Sequence, residues 1–121
     1  MTLAGCLVVQ ILPAGLAVFA DLRYWAHHVR FVHVFELLPL AMAVVALAGR
    51  LPRHLAWQSA GLFGLIFLMY FTANMRTVAP VVAGLHPVLA MLLSLAAAHV
   101  TRQAWVLVAP PEAGPRALGA G

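Results

Sequence analysis

The chain has 121 residues, 64% of them hydrophobic and 8% charged, with seven basic side chains against three acidic ones. So little polar surface cannot cover a water-soluble domain of this length, so hydrocarbon has to be the solvent. The arginines are too sparse and scattered for nucleic-acid binding, and the length holds one domain.

A spanning helix needs roughly 20 apolar residues, and four such runs fit with little left over. The first is 3–20. Pro13 is expected to kink it and Gly15 to permit close helix contact. It lacks a basic leader and ends at Phe19-Ala20-Asp21, a poor cleavage site, so it reads as a retained helix rather than a signal peptide. A polar loop, 21–30, follows, with Tyr24 and Trp25 placed as interfacial aromatics. The second run is 31–49. The short turn 50–54 makes it an antiparallel neighbour of the third run, 55–74. A link with Arg76 and Pro80 leads to the fourth run, 85–108, and 109–121 reads as a flexible tail. Cys6 is the sole cysteine and forms no internal disulfide.

No strand signal appears, and a closed barrel needs many more segments. The expected fold is all-α, a transmembrane up-down four-helix bundle over residues 1–108. Arg50, Arg53, Arg102 and Arg116 fall on the side of the termini, and Arg23, Arg30 and Arg76 on the other. That leans towards both termini in the cytoplasm.

All six histidines sit near the ends of these runs. Helices two and four run in the same direction, so His27, His28 and His33 share a membrane face with His86. In an up-down bundle these helices are diagonal, and diagonal imidazoles at one depth suit opposite faces of a haem iron. Arg23, Arg30 and Arg76 lie on the face where haem propionates would emerge. The plainer reading makes the histidines interfacial groups bonded to headgroups or loop carbonyls. It is favoured for His27, while His28, His33 and His86 stay open between the two. His54 and His99, on the opposite face, read as edge residues.

Glu36 shares a helix face with His33 and lies inside an apolar run, so it has to pair, protonate or serve a pathway. A structural hydrogen bond to His33 or to a neighbouring helix is the plainer role; proton transfer or the orientation of an imidazole is the sharper one. Gln10, Gln58 and Asn74 are explained by interhelical hydrogen bonds. The methionines read as packing residues.

The first run also carries a recognisable pattern, Gln10 followed by Ala14-Gly15-Leu16 and then Phe19. It resembles the first helix of a family of small bacterial four-helix integral membrane proteins of unknown function. His28 and His33 match the two histidines of that family's second-helix motif, with Val29 and Val32 where the family has Arg and Gly. Leu85-His86-Pro87 matches the opening of its fourth helix. The resemblance covers most of residues 7–103, and it implies a fold and a bacterial inner-membrane location but no activity. The paired histidines also resemble the bis-histidine pattern of haem A synthase halves, an analogy of pattern alone.

The leading expectation is a small integral membrane protein that binds a b-type haem between helices two and four for electron transfer, alone or as a subunit of a larger membrane complex. His86 with His28 or His33 would be the ligands, and Arg23, Arg30 and Arg76 the propionate partners. The alternative is a cofactor-free accessory subunit packed against larger membrane partners. No nucleophile or catalytic carboxylate pair is present in the sequence, so no catalytic residue is assigned and an enzyme acting on its own is disfavoured. Apart from such subunits, membrane lipid is the expected partner and nucleic acid is not.

Overall fold

The structure, a computed structural model, describes residues 2–109. It is helical throughout: α1 (Thr2–Phe19), α2 (Tyr24–Phe35), α3 (Leu38–Ala48), α4 (Arg53–Asn74), α5 (Pro80–Ala83) and α6 (His86–Val108). There is no strand among the described residues. The six helices make four stretches long and apolar enough to cross a membrane: Thr2–Phe19, Tyr24–Ala48, Arg53–Asn74 and Pro80–Val108. At a rise of 1.5 Å per residue the shortest reaches about 27 Å, close to the hydrocarbon thickness of a bilayer.

Each span packs on the next, and the last returns to the first. α1 lies against α2 and α6, α3 against α4, and α4 against α6. The second and fourth spans are therefore diagonal. Contact is uneven along the second span, because α3 packs closely on α4 whereas α2 leans on α1 and makes no comparable contact with α4 or α6.

Three departures from the sequence reading have local causes. The loop expected over 21–30 ends early, and α2 already starts at Tyr24. The Asp21 carboxylate accepts the main-chain N–H of Arg23 at 2.8 Å, an Asx-turn that starts the helix. Trp25, His28, Phe31 or Val32, and Phe35 then recur at helical spacing, so these polar residues lie on helix, not loop. Second, the run 31–49 is two helices, broken at Glu36-Leu37. Pro39 has no N–H to give the Phe35 carbonyl, and α3 restarts with that proline in its first turn. Third, the link before α6 contains the short helix α5. The tail expected at 109–121 lies, from residue 110 on, outside the described residues.

The core is thin. Leu3 and Leu7 of α1, Phe35 of α2, Leu55, Leu62 and Ile66 of α4, and Leu93, Ala97 and Val100 of α6 form one buried cluster. Ala97 is fully covered, so small residues let the backbones approach. Gly15 does not serve that purpose: a Cβ built there meets nothing within 4 Å. The outside is apolar as well, with Val18, Trp57, Phe67 and Val106 all exposed. In water this would be a continuous sticky surface; in hydrocarbon it is the expected exterior.

α3 ends in a Schellman arrangement. The Arg50 N–H bonds the Leu47 carbonyl at 3.1 Å and the Leu51 N–H bonds the Ala46 carbonyl at 2.9 Å. The residue forced into the left-handed conformation is Arg50, at φ 53°, while Gly49 beside it has an ordinary φ. An L side chain there costs about 1–2 kcal/mol. Arg50→Gly is expected to raise the unfolding midpoint in detergent by the equivalent of about 1 kcal/mol, read by thermal denaturation. Reporter fusions in the Arg50-Leu51 turn and after Val108 are expected to report the same compartment, since two spans separate them.

Candidate functional site

The polar side chains gather at the end of the bundle that holds the α1–α2 turn and the start of α6. On α1, Gln10 is buried, one turn before Pro13. Its amide Nε2 donates to the main-chain carbonyl of His28 at 2.7 Å. In return the His28 ring bonds the main-chain carbonyl of Gln10, with Nδ1 at 3.3 Å. A carbonyl only accepts, so Nδ1 carries the proton and Nε2 keeps its lone pair. His28 is half-buried and lies flat on Trp25, with ring centroids 4.9 Å apart. The Oε1 atom of Gln10 is buried and accepts from no donor among the described residues.

His86 opens α6, just before Pro87, and is held in the same way. Its Nδ1 lies 3.1 Å from the main-chain carbonyl of Met69 on α4 and 3.5 Å from the Thr72 hydroxyl, which itself donates to that carbonyl at 3.0 Å. Nδ1 is again the donor and Nε2 is free.

His33 belongs to a different group. Its Nδ1 lies 3.1 Å from Glu36 Oε2 and 3.1 Å from the Tyr70 hydroxyl. That hydroxyl donates to the same carboxylate oxygen at 2.5 Å. Glu36 caps the end of α2 at the break, is partly buried, and turns to α4 through this bond. His33 is more than half exposed, and its ring stacks on Tyr70 with centroids 5.8 Å apart. The group ties α2 to α4 where their backbones stay apart.

The three arginines are not brought together. Arg23 chelates Asp21 in the turn, with Nη2–Oδ2 at 2.7 Å. That hydrogen bond holds the Asp21 carboxyl below the usual carboxylate range. Arg30 lies two residues from His28, on another face of α2, beside His27 in a groove against α1. Arg76 is exposed in the turn after α4. At the other end, His54 is exposed and His99 accepts from Gln103 on its own helix at 2.9 Å. Asn74 bonds the Tyr70 carbonyl within α4 rather than another helix, and Gln58 Oε1 is buried with no partner. Among the described residues no three metal-ligating side chains cluster.

Tyr70, Thr72 and the Met69 carbonyl were missed from the sequence. Tyr70 did leave a signal: a single phenol in the apolar run of α4 needs a partner for its hydroxyl, and Glu36 is the one carboxylate at reachable depth.

These features define a small helical protein with four membrane-length stretches and one polar end. The chain belongs to a family of unknown function, DUF6220, whose model matches residues 10–77. The match takes in Gln10, His28, His33, Glu36 and Tyr70 and ends before His86. No curated protein and no solved structure matches the chain.

Tyr70→Phe removes the shorter of the two bonds to Glu36. It is expected to lower stability by about 0.6–2 kcal/mol, measured by thermal unfolding in detergent. Glu36→Gln keeps an acceptor for Tyr70 and is expected to fold with a smaller loss.

Proposed function

We propose that this is a haem b electron-transfer protein of the membrane, in which His28 and His86 would hold the haem. One observation carries the reading. On two diagonal spans, each ring has its Nδ1 proton engaged by a main-chain carbonyl of a neighbouring helix, which leaves Nε2 as a fixed, unprotonated donor. That is how proteins orient an imidazole for a metal, and the hydrogen bond to Nδ1 raises the basicity of the free nitrogen. Two protein ligands suffice for haem iron, because the macrocycle supplies the other four, so the lack of a larger ligand cluster among the described residues fits this group.

α2 packs chiefly on α1 and meets α4 through the side chains of His33, Glu36 and Tyr70. His33 is the weaker candidate, because its ring is already held against Tyr70 and Glu36. Arg23 is committed to Asp21 and Arg30 faces the α1–α2 groove, which leaves Arg76 as the cation free for a propionate.

Haem supplies one-electron chemistry. His28 and His86 would hold the group through their two imidazoles. That arrangement favours electron transfer over oxygen binding. Donor and acceptor would be other membrane components, so the protein acts alone or as a subunit of a larger complex. The bacterial inner membrane, with both termini in the cytoplasm, is the setting this reading takes.

The test is an absorption spectrum, oxidised and dithionite-reduced, of protein purified from haem-replete membranes. A low-spin Soret band is expected. His28→Ala and His86→Ala are expected to abolish it, while His27→Ala and His54→Ala leave it intact. Loss in His33→Ala but not in His28→Ala would move the ligand to His33. A wild-type protein without Soret absorbance rejects haem and leaves the cofactor-free accessory subunit.

A further inference from the structure

α1 and α2 flank a shallow, open groove beside His27. The groove, about 400 Å³, is lined by Val9 and Pro13 of α1 and by His27, Arg30, Phe31 and Val34 of α2. A second hollow of about 440 Å³ continues outward from His27 past Tyr24 to Ala20, Asp21 and Arg23 in the turn. His27 lines both, and its ring packs on Tyr24 with centroids 5.8 Å apart. From the turn inward, this face of α2 therefore passes from charged and phenolic groups, through imidazole and guanidinium, to phenyl and isopropyl. A phospholipid has the same order of polarity along its length.

Arg30 gives the groove its charge preference. It lies within a membrane-length apolar stretch and is exposed. The ion pairs among the described residues are Arg23 with Asp21 and His33 with Glu36, so neither described carboxylate answers Arg30. An unpaired guanidinium at that depth is stabilised by an anion supplied from the membrane, and guanidinium binds phosphate through two parallel hydrogen bonds. Pro13 adds to the fit, since its ring presents carbon where another residue would carry an N–H.

We propose that this groove binds one anionic phospholipid, its phosphate at Arg30 and His27 and an acyl chain along Val9, Pro13, Phe31 and Val34. The site is independent of the haem reading, because it uses neither His28 nor His86.

The experiment compares phosphatidylglycerol with phosphatidylcholine of the same acyl chains, each added to the detergent-purified protein and read by native mass spectrometry. Wild type is expected to retain phosphatidylglycerol about fivefold more than phosphatidylcholine, the factor that corresponds to about 1 kcal/mol for one basic residue at an anionic surface. Arg30→Gln is expected to reduce that ratio to near one. Arg30→Lys, which keeps the charge, and Arg53→Gln, at the far end of the bundle, are expected to preserve it. Inorganic phosphate is expected to leave the ratio unchanged, because the acyl chain contributes to binding; displacement by phosphate would replace the lipid site with a simple anion site. Equal retention of the two lipids by wild type, or equal loss in Arg30→Gln and Arg53→Gln, overturns the proposal.

Discussion

In the middle of the second span the Phe35 carbonyl faces a residue, Pro39, that has no proton to give it. Water can repair such a gap in a soluble helix, but stretches long and apolar enough to cross a membrane leave little room for it. The helix stops at Phe35 and restarts at Leu38, and the two halves take different neighbours. α3 settles on α4, and α2 falls towards α1. The separation of α2 from α4 and α6 follows from that division. Glu36, at the break, turns to Tyr70 and bridges the separation with a side-chain bond where backbone packing is lacking.

The same scarcity of water explains how the imidazoles are held. A ring N–H in an apolar bundle requires an acceptor inside the chain. The acceptors used are main-chain carbonyls of neighbouring helices, Gln10 for His28 and Met69 for His86. Pro13 stands one turn beyond Gln10, and Thr72 stands one turn beyond Met69 and donates to the same carbonyl. The carboxylate of Glu36 serves His33 instead, and this difference in acceptor separates the third histidine from the other two.

The four spans were legible because hydropathy alone marks a stretch of 20 apolar residues, and the diagonal placement of the second and fourth followed from short connections. The break at Glu36-Leu37 was also visible, since Pro39 cannot sit in a helix interior with its bond ladder intact; the apolar run hid it. The start of α2 was not legible from polarity, because Asp21 to Arg30 has a loop's composition, and only the spacing of Trp25, His28, Phe31 and Phe35 reveals a helix. Of the candidate cluster, topology alone could place His28 and His86 on diagonal spans. The faces of Arg23 and Arg30 could not be read from their side of the membrane. Arg23 meets Asp21 two residues away, and Arg30 is rotated off the His28 face by helix geometry. The pairing of Tyr70 with Glu36 joins residues 34 apart in sequence, a distance that no local pattern spans.

Gln10 and His28 are joined by two bonds of opposite direction, each side chain ending on the main chain of the other residue. A contact between two side chains tolerates a slide of one helix along the other, because flexible groups can follow. A contact in which each partner grips a particular peptide unit does not. The pair therefore acts as a vernier between the first two helices, and it sets how many residues the connection between them must contain. Adding or deleting one residue within 20–23 rotates α2 by about 100° relative to α1 and carries His28 off its carbonyl. In this part of the chain, length is constrained as tightly as the identity of Asp21.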